Sequence, residues 1–62
     1  MNIKQLRVRA GYTQEKLANL LQIDRSAIAH WENGDSIPRA KMLPKLALLL
    51  KCSTDDLLGI AN

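Results

Sequence analysis

Residues with reactive side chains are few in this chain, and their spacing argues against catalysis. Ser26 and His30 stand four apart in a stretch opened by Asp24, so one helix could carry a serine, a histidine and an aspartate. All three would lie along one exposed helix with no second wall to exclude water or build an oxyanion hole, and 62 residues leave little room for one. His30 and Cys52 are the only soft ligands and fall in different predicted helices, so neither a metal site nor a cofactor is expected. The same stretch suits recognition better than bond making. At 100° per residue, Arg25, Ser26, Ala29 and His30 lie opposite Ile28 and Trp31, with Asn33 at the end. Together they offer a forked donor, a hydroxyl, a methyl and an imidazole.

Two short helices must position these groups. Thr13 is a good N-cap for a helix from Gln14 to Leu21, which places Leu17, Ala18 and Leu21 on one inward face. Asp24 is a second N-cap, its carboxylate suited to the positive end of a helix that runs to Asn33 before Gly34 provides a left-handed C-cap. Only Gln22 and Ile23 separate Leu21 from Asp24. The helices must therefore turn sharply, and the small Ala18 leaves room for them to cross closely. This is helix-turn-helix geometry.

With those residues in view, the chain resembles the DNA-binding domain of Cro and CI-type phage repressors, the XRE-like family of bacterial regulators. The resemblance is carried by Leu6-Arg7, Thr13-Gln14, Leu17-Ala18, Ile28, the WENG of Trp31 to Gly34, Pro38, and the closing LxxLAxLL and DDLL stretches. It implies an all-α fold, a compact five-helix lambda-repressor-like bundle, with residues 1–62 forming a single helix-turn-helix domain. It implies a transcriptional regulator, a repressor, that binds double-stranded DNA sequence-specifically. One departure stands out. The family turn usually carries glycine where this chain has Gln22, and a left-handed backbone there costs a residue with a β-carbon about 1 kcal/mol or more, so a reshaped turn is expected.

Length and composition agree with a small helical domain. At 62 residues only about 60% of the unfolded surface can be buried, and the core must come mainly from Leu, Ile and Ala, since there is one Trp, one Tyr and no Phe. Residues 1–51 hold nine Lys and Arg against four acids, whereas the remainder holds only Asp55 and Asp56. The excess favours an anionic partner. A single cysteine, Cys52, excludes an internal disulfide, fits a reducing compartment and reads as core filler where the family places a small apolar residue. The MNIKQLR start does not read as a signal peptide, and the longest apolar run, Leu46 to Leu50, is too short to span a bilayer, so a cytoplasmic protein without membrane association is expected.

Along the rest of the chain, Asn2 is expected to cap a first helix to about Ala10, with Gln5 returning the bond and Gly11 ending it. Asp35 to Met42 reads as a loop with at most one irregular turn. A fourth helix is placed from Pro44, with Leu43, Leu46, Ala47 and Leu50 inward. Ser53 and Asp56 form the capping box of a last helix, in which Leu57 and Leu58 close the core and Gly59 is the stop.

The resemblance then assigns roles. Arg25, Ser26, Ala29 and His30 are the base-reading set for the major groove, with arginine matched to guanine O6 and N7 and the alanine methyl to thymine. Gln14, first in its helix, is the leading phosphate ligand and a brace for the reading helix. The Asn33 and Gly34 amides with the Arg39 and Lys41 side chains are placed by the family pattern on the other strand. Arg7 is expected to pair with Glu32, because a glutamate on the half-buried side of that helix needs a partner. Leu48, Leu49, Leu58 and Ile60 are apolar residues near the C-terminal helices through which such proteins pair, so a homodimer on a palindromic operator, completed on DNA, is expected. The alternative is a protein-interaction module, as in antitoxins of this fold, with a cognate protein partner on the apolar surface.

Overall fold

The computed structural model describes residues 2–59. Its elements are α1 (Ile3–Ala10), α2 (Gln14–Leu21), α3 (Arg25–Asn33), a single 3-10 turn at Ala40–Met42, α4 (Leu43–Leu49) and α5 (Thr54–Leu58), and no strand occurs among the described residues. Every α-helix contributes to one core. Ile3 and Leu6 come from α1, Leu17, Ala18 and Leu21 from α2, Ile28 from α3, Leu46 and the capping Leu50 from α4, and Leu57 from α5. Each fully buried Leu or Ile in this set is worth about 1.5 to 3 kcal/mol in apolar burial, which a chain this short cannot spare.

The turns follow local rules where a local partner is nearest. Thr13 Oγ1 accepts from Lys16 N at 3.0 Å and starts α2. Gly11, Gly34 and Gly59 end α1, α3 and α5 in the left-handed region. Ser53 and Asp56 form the expected capping box, with the 3.0 Å bond from Asp56 N to Ser53 Oγ answered by one from Ser53 N to the Asp56 carboxylate at 3.4 Å. Between α2 and α3 the turn is not reshaped. Gln22 adopts φ 59° and ψ 42°, the conformation glycine would take, and Ile23 N closes onto Ala18 O at 3.0 Å. The strain of about 1 kcal/mol is offset by the apolar burial on either side of the turn, at Leu17, Ala18 and Leu21 of α2 and Ile28 of α3. Lys51, at φ 55°, is a second such residue after α4.

Four expectations are corrected. Asn2 makes no side-chain cap on α1, and no capping box with Gln5 forms; its backbone N–H donates to Leu57 O at 3.1 Å and its amide to Asp56 O at 3.2 Å, clasping the start of the chain to α5. Asp24 likewise makes no side-chain cap on α3, although the helix begins there. Helix α4 starts one residue before Pro44, at Leu43, which leaves the proline in the first turn where its missing N–H costs nothing. Leu57 is fully buried, but Leu58 is 41% exposed, so only the first of the pair closes the core. Ile60 lies outside the described residues.

Candidate nucleic-acid interface

Helix α3 is held by its inner face and open on its outer one. Ile28 is its only fully buried apolar residue, with Trp31 and Ala27 partly buried, while Arg25, Ser26 and His30 are exposed and Ala29 is half-buried beside them. The four sequence-assigned groups therefore lie together on one accessible surface. At its start, α2 brings Gln14, whose backbone N–H belongs to the first-turn amides that helix geometry leaves without an intrahelical partner.

Polar contacts register α3 against α1 and α2. Glu32, with a side chain only 4% exposed, accepts from Arg7 Nε at 2.6 Å and Nη2 at 3.2 Å, and from Gln14 Nε2 at 2.9 Å. Arg7 Nη1 in turn donates to Tyr12 O at 2.8 Å, so the guanidinium is fixed at both ends. Burial pushes the Glu32 carboxyl up, but the hydrogen bonds from Arg7 and Gln14 and the charges of Arg7 and Lys4 outweigh it and hold the group below the usual carboxylate range. The carboxylate is ionised at neutral pH and can only accept. From the exposed side, Arg25 Nη1 donates to Gln14 Oε1 at 3.3 Å.

Several contacts were not readable from helical spacing. Ser26 Oγ donates to the Asp24 carboxylate at 2.7 Å, so that carboxylate takes a side-chain partner and makes no cap bond to the helix. His30 Nδ1 meets Asp35 Oδ2 at 3.2 Å across the left-handed Gly34, a five-residue separation that no helical period brings together. An Asp two residues from a Ser is a recognisable local pattern; the Arg25 to Gln14 bond had no sequence signal beyond the expectation that Gln14 braces α3.

The far end of the helix differs from the expected phosphate clamp. Gly34 N donates to Trp31 O at 3.3 Å and Asp35 N to His30 O at 2.9 Å, so the Gly34 amide is consumed by the C-cap and does not point outward. That leaves the exposed side chain of Asn33, with exposed Arg39 and Lys41 on the following loop and 3-10 turn. Cys52 packs against the core, where burial foremost, and Asp56, push its thiol up. No group of metal-binding side chains occurs among the described residues, and none of their helices is long and apolar enough to cross a membrane.

A helix-turn-helix family matches residues 3–57. The HTH-type transcriptional activator BcrR of Enterococcus faecalis is 36% identical over 92% of this chain and 28% of its own length. The SPbeta prophage-derived uncharacterized HTH-type transcriptional regulator YonR of Bacillus subtilis is 39% identical over 90% of this chain and 52% of its own. For the uncharacterized HTH-type transcriptional regulator YgzD of the same organism the identity is 33% over 87% of this chain and 82% of the relative. The chain thus spans between about a quarter and four fifths of these relatives, and no solved structure matches it significantly. The match runs from the first residue of α1 into α5 and takes in the turn between α2 and α3, and the chain belongs to the helix-turn-helix family.

Proposed function

We propose that residues 1–62 act as one sequence-specific double-stranded DNA-binding unit of a transcriptional regulator in the cytoplasm, with α3 in the major groove. The observation that carries this reading is the division of α3: Ile28 and Glu32 fix its inner side, and Arg25, Ser26, Ala29 and His30 are left on the accessible side with groups matched to base edges. Phosphates are met by the first-turn amide of Gln14 and by Asn33, Arg39 and Lys41. Repression is the mode proposed, because occluding a promoter requires only tight operator binding, although one relative is named an activator.

A single α3 reads one half-site, so we also propose a two-fold dimer. Leu48 is 80% exposed, and with Leu20, Leu21, Gln22, Lys45 and Leu49 it lines a shallow apolar cleft of about 280 Å³. Leu49 is half-buried against the core and contributes only its outer edge, and Leu58 lies on the neighbouring helix. Apolar area of this kind supports pairing. Selection of bound sequences from a random DNA pool tests both parts. A palindromic motif with half-sites about 34 Å apart is expected; binding that is indifferent to sequence would point instead to a protein-interaction module, and a single unpaired half-site would remove the dimer. Within such a motif, Arg25→Ala relaxes one base-pair position by about 1 to 3 kcal/mol, whereas Lys41→Ala weakens all sequences alike.

A further inference from the structure

We infer that Glu32, on the inner side of α3, sets base preference through Gln14 and Arg25. The inference rests on the reading of α3 as the base-reading helix and deepens it.

The direction of every bond in this chain of groups is fixed by charge. Glu32 is an acceptor at all its contacts, and Arg7 occupies it through Nε and Nη2. Gln14 can approach it only with its NH2 end, at 2.9 Å. The other end of the same planar amide, Oε1, is thereby turned outward, and it is this oxygen that receives Arg25 Nη1 at 3.3 Å. Were Gln14 free to rotate by half a turn, its NH2 would face the guanidinium, a donor against a donor. Glu32 removes that alternative.

The consequence for Arg25 is orientation. An exposed arginine samples many rotamers, and a tether at Nη1 confines it before DNA arrives. The tether leaves the Nε and Nη2 edge open, and that edge is a two-donor fork suited to the O6 and N7 of guanine. Glu32 and Gln14 are positioning residues: they need not touch a base, and they decide which donors of Arg25 do. Arg7 serves the same end by holding Glu32 in place, with its own Nη1 anchored on Tyr12 O.

The test compares base-preference profiles of the full chain and its variants on one operator library with each base pair varied in turn, alongside their thermal midpoints. At the pair read by Arg25, Arg25→Ala should lower the preference about 5- to 150-fold. Glu32→Gln and Gln14→Ala should each lower it at that pair by about 2- to 12-fold, the ratio equivalent to one net hydrogen bond, and leave the ratios at the other pairs unchanged. Gln14→Ala keeps the Arg7–Glu32 pair, so its loss cannot be assigned to a failing fold. The exchange of Gln14→Glu with Glu32→Gln restores an acceptor opposite Arg25 and should recover the preference. Unchanged ratios in both single variants, an equal loss at every pair, or no recovery in the exchange would overturn the inference while the wild-type and Arg25→Ala profiles stand. A flat wild-type profile, or one that Arg25→Ala leaves unaltered, would instead show that α3 does not read bases through Arg25, and both proposals would fall together.

Discussion

Helices α2 and α3 are neighbours of almost equal length and are held by different physics. Helix α2 buries Leu17, Ala18 and Leu21 and carries a true side-chain cap at Thr13. Helix α3 has Ile28 as its only fully buried apolar residue, has no side-chain cap, and is registered instead by Glu32 on Arg7 and Gln14. The contrast follows from exposure. A helix that must offer one face to a partner cannot spend that face on the core, so fewer and more directional contacts have to fix its tilt. Apolar packing tolerates small rotations, whereas a carboxylate that accepts three hydrogen bonds at 2.6 to 3.2 Å, two from Arg7 and one from Gln14, does not.

The comparison breaks most severely at its apolar anchors. Leu17→Ala should cost about 4 kcal/mol, and Ile28→Ala about as much, because each leaves a cavity in a core with no exposure at those positions. Urea unfolding would measure both. If Ile28→Ala costs far less than Leu17→Ala, the polar contacts alone suffice to hold α3.

A smaller effect isolates the polar side. Arg7→Met should cost about 3 kcal/mol by leaving the Glu32 carboxylate buried without its charge partner, and adding Glu32→Gln should recover part of it. Additive losses in that double-mutant cycle would remove the pair from the account. The pH dependence has a definite sign. The Glu32 carboxyl lies below its unfolded value, so its contribution is complete above the ordinary carboxylate range near pH 4.3 and is lost as pH falls through the lower folded value. Thermal midpoints of the native chain should therefore drop more steeply in acid than those of Glu32→Gln.

The caps give the finest distinction. Thr13→Ala should cost about 1 kcal/mol, because it deletes the acceptor for Lys16 N. Asp24→Ala should cost only a few tenths, since that carboxylate bonds Ser26 and caps nothing. Equal losses at the two sites, measured as shifts in unfolding midpoint, would mean that Asp24 caps α3 in solution.

Much of this architecture is legible in the sequence. The helix lengths, the glycine stops, the Ser53 capping box and the tight turn after Leu21 all rest on residues within five positions of one another. Arg7 with Glu32 was legible for another reason: a glutamate at that point of α3 is forced inside by the periodicity of Ile28 and Trp31, and family resemblance supplied its partner. Leu57 and Leu58 were not separable, because adjacent leucines on a five-residue helix differ only in which side the rest of the bundle approaches.

What the sequence by itself determined is therefore the local code: where most helices begin and end, which faces are apolar, and that only a short turn separates α2 from α3. Tertiary structure alone decided the choices between partners of similar strength. Asn2 gave up a cap within its own helix for the carbonyl of Asp56, 54 residues away, and Asp24 exchanged a backbone amide for the Ser26 hydroxyl. Gln14 acquired a fixed amide direction only because Glu32 and Arg25 arrive on opposite sides of it. Each alternative differs by about 1 kcal/mol, so the winner is set by where the chain's distant groups are delivered, and that depends on the packing of all five helices at once.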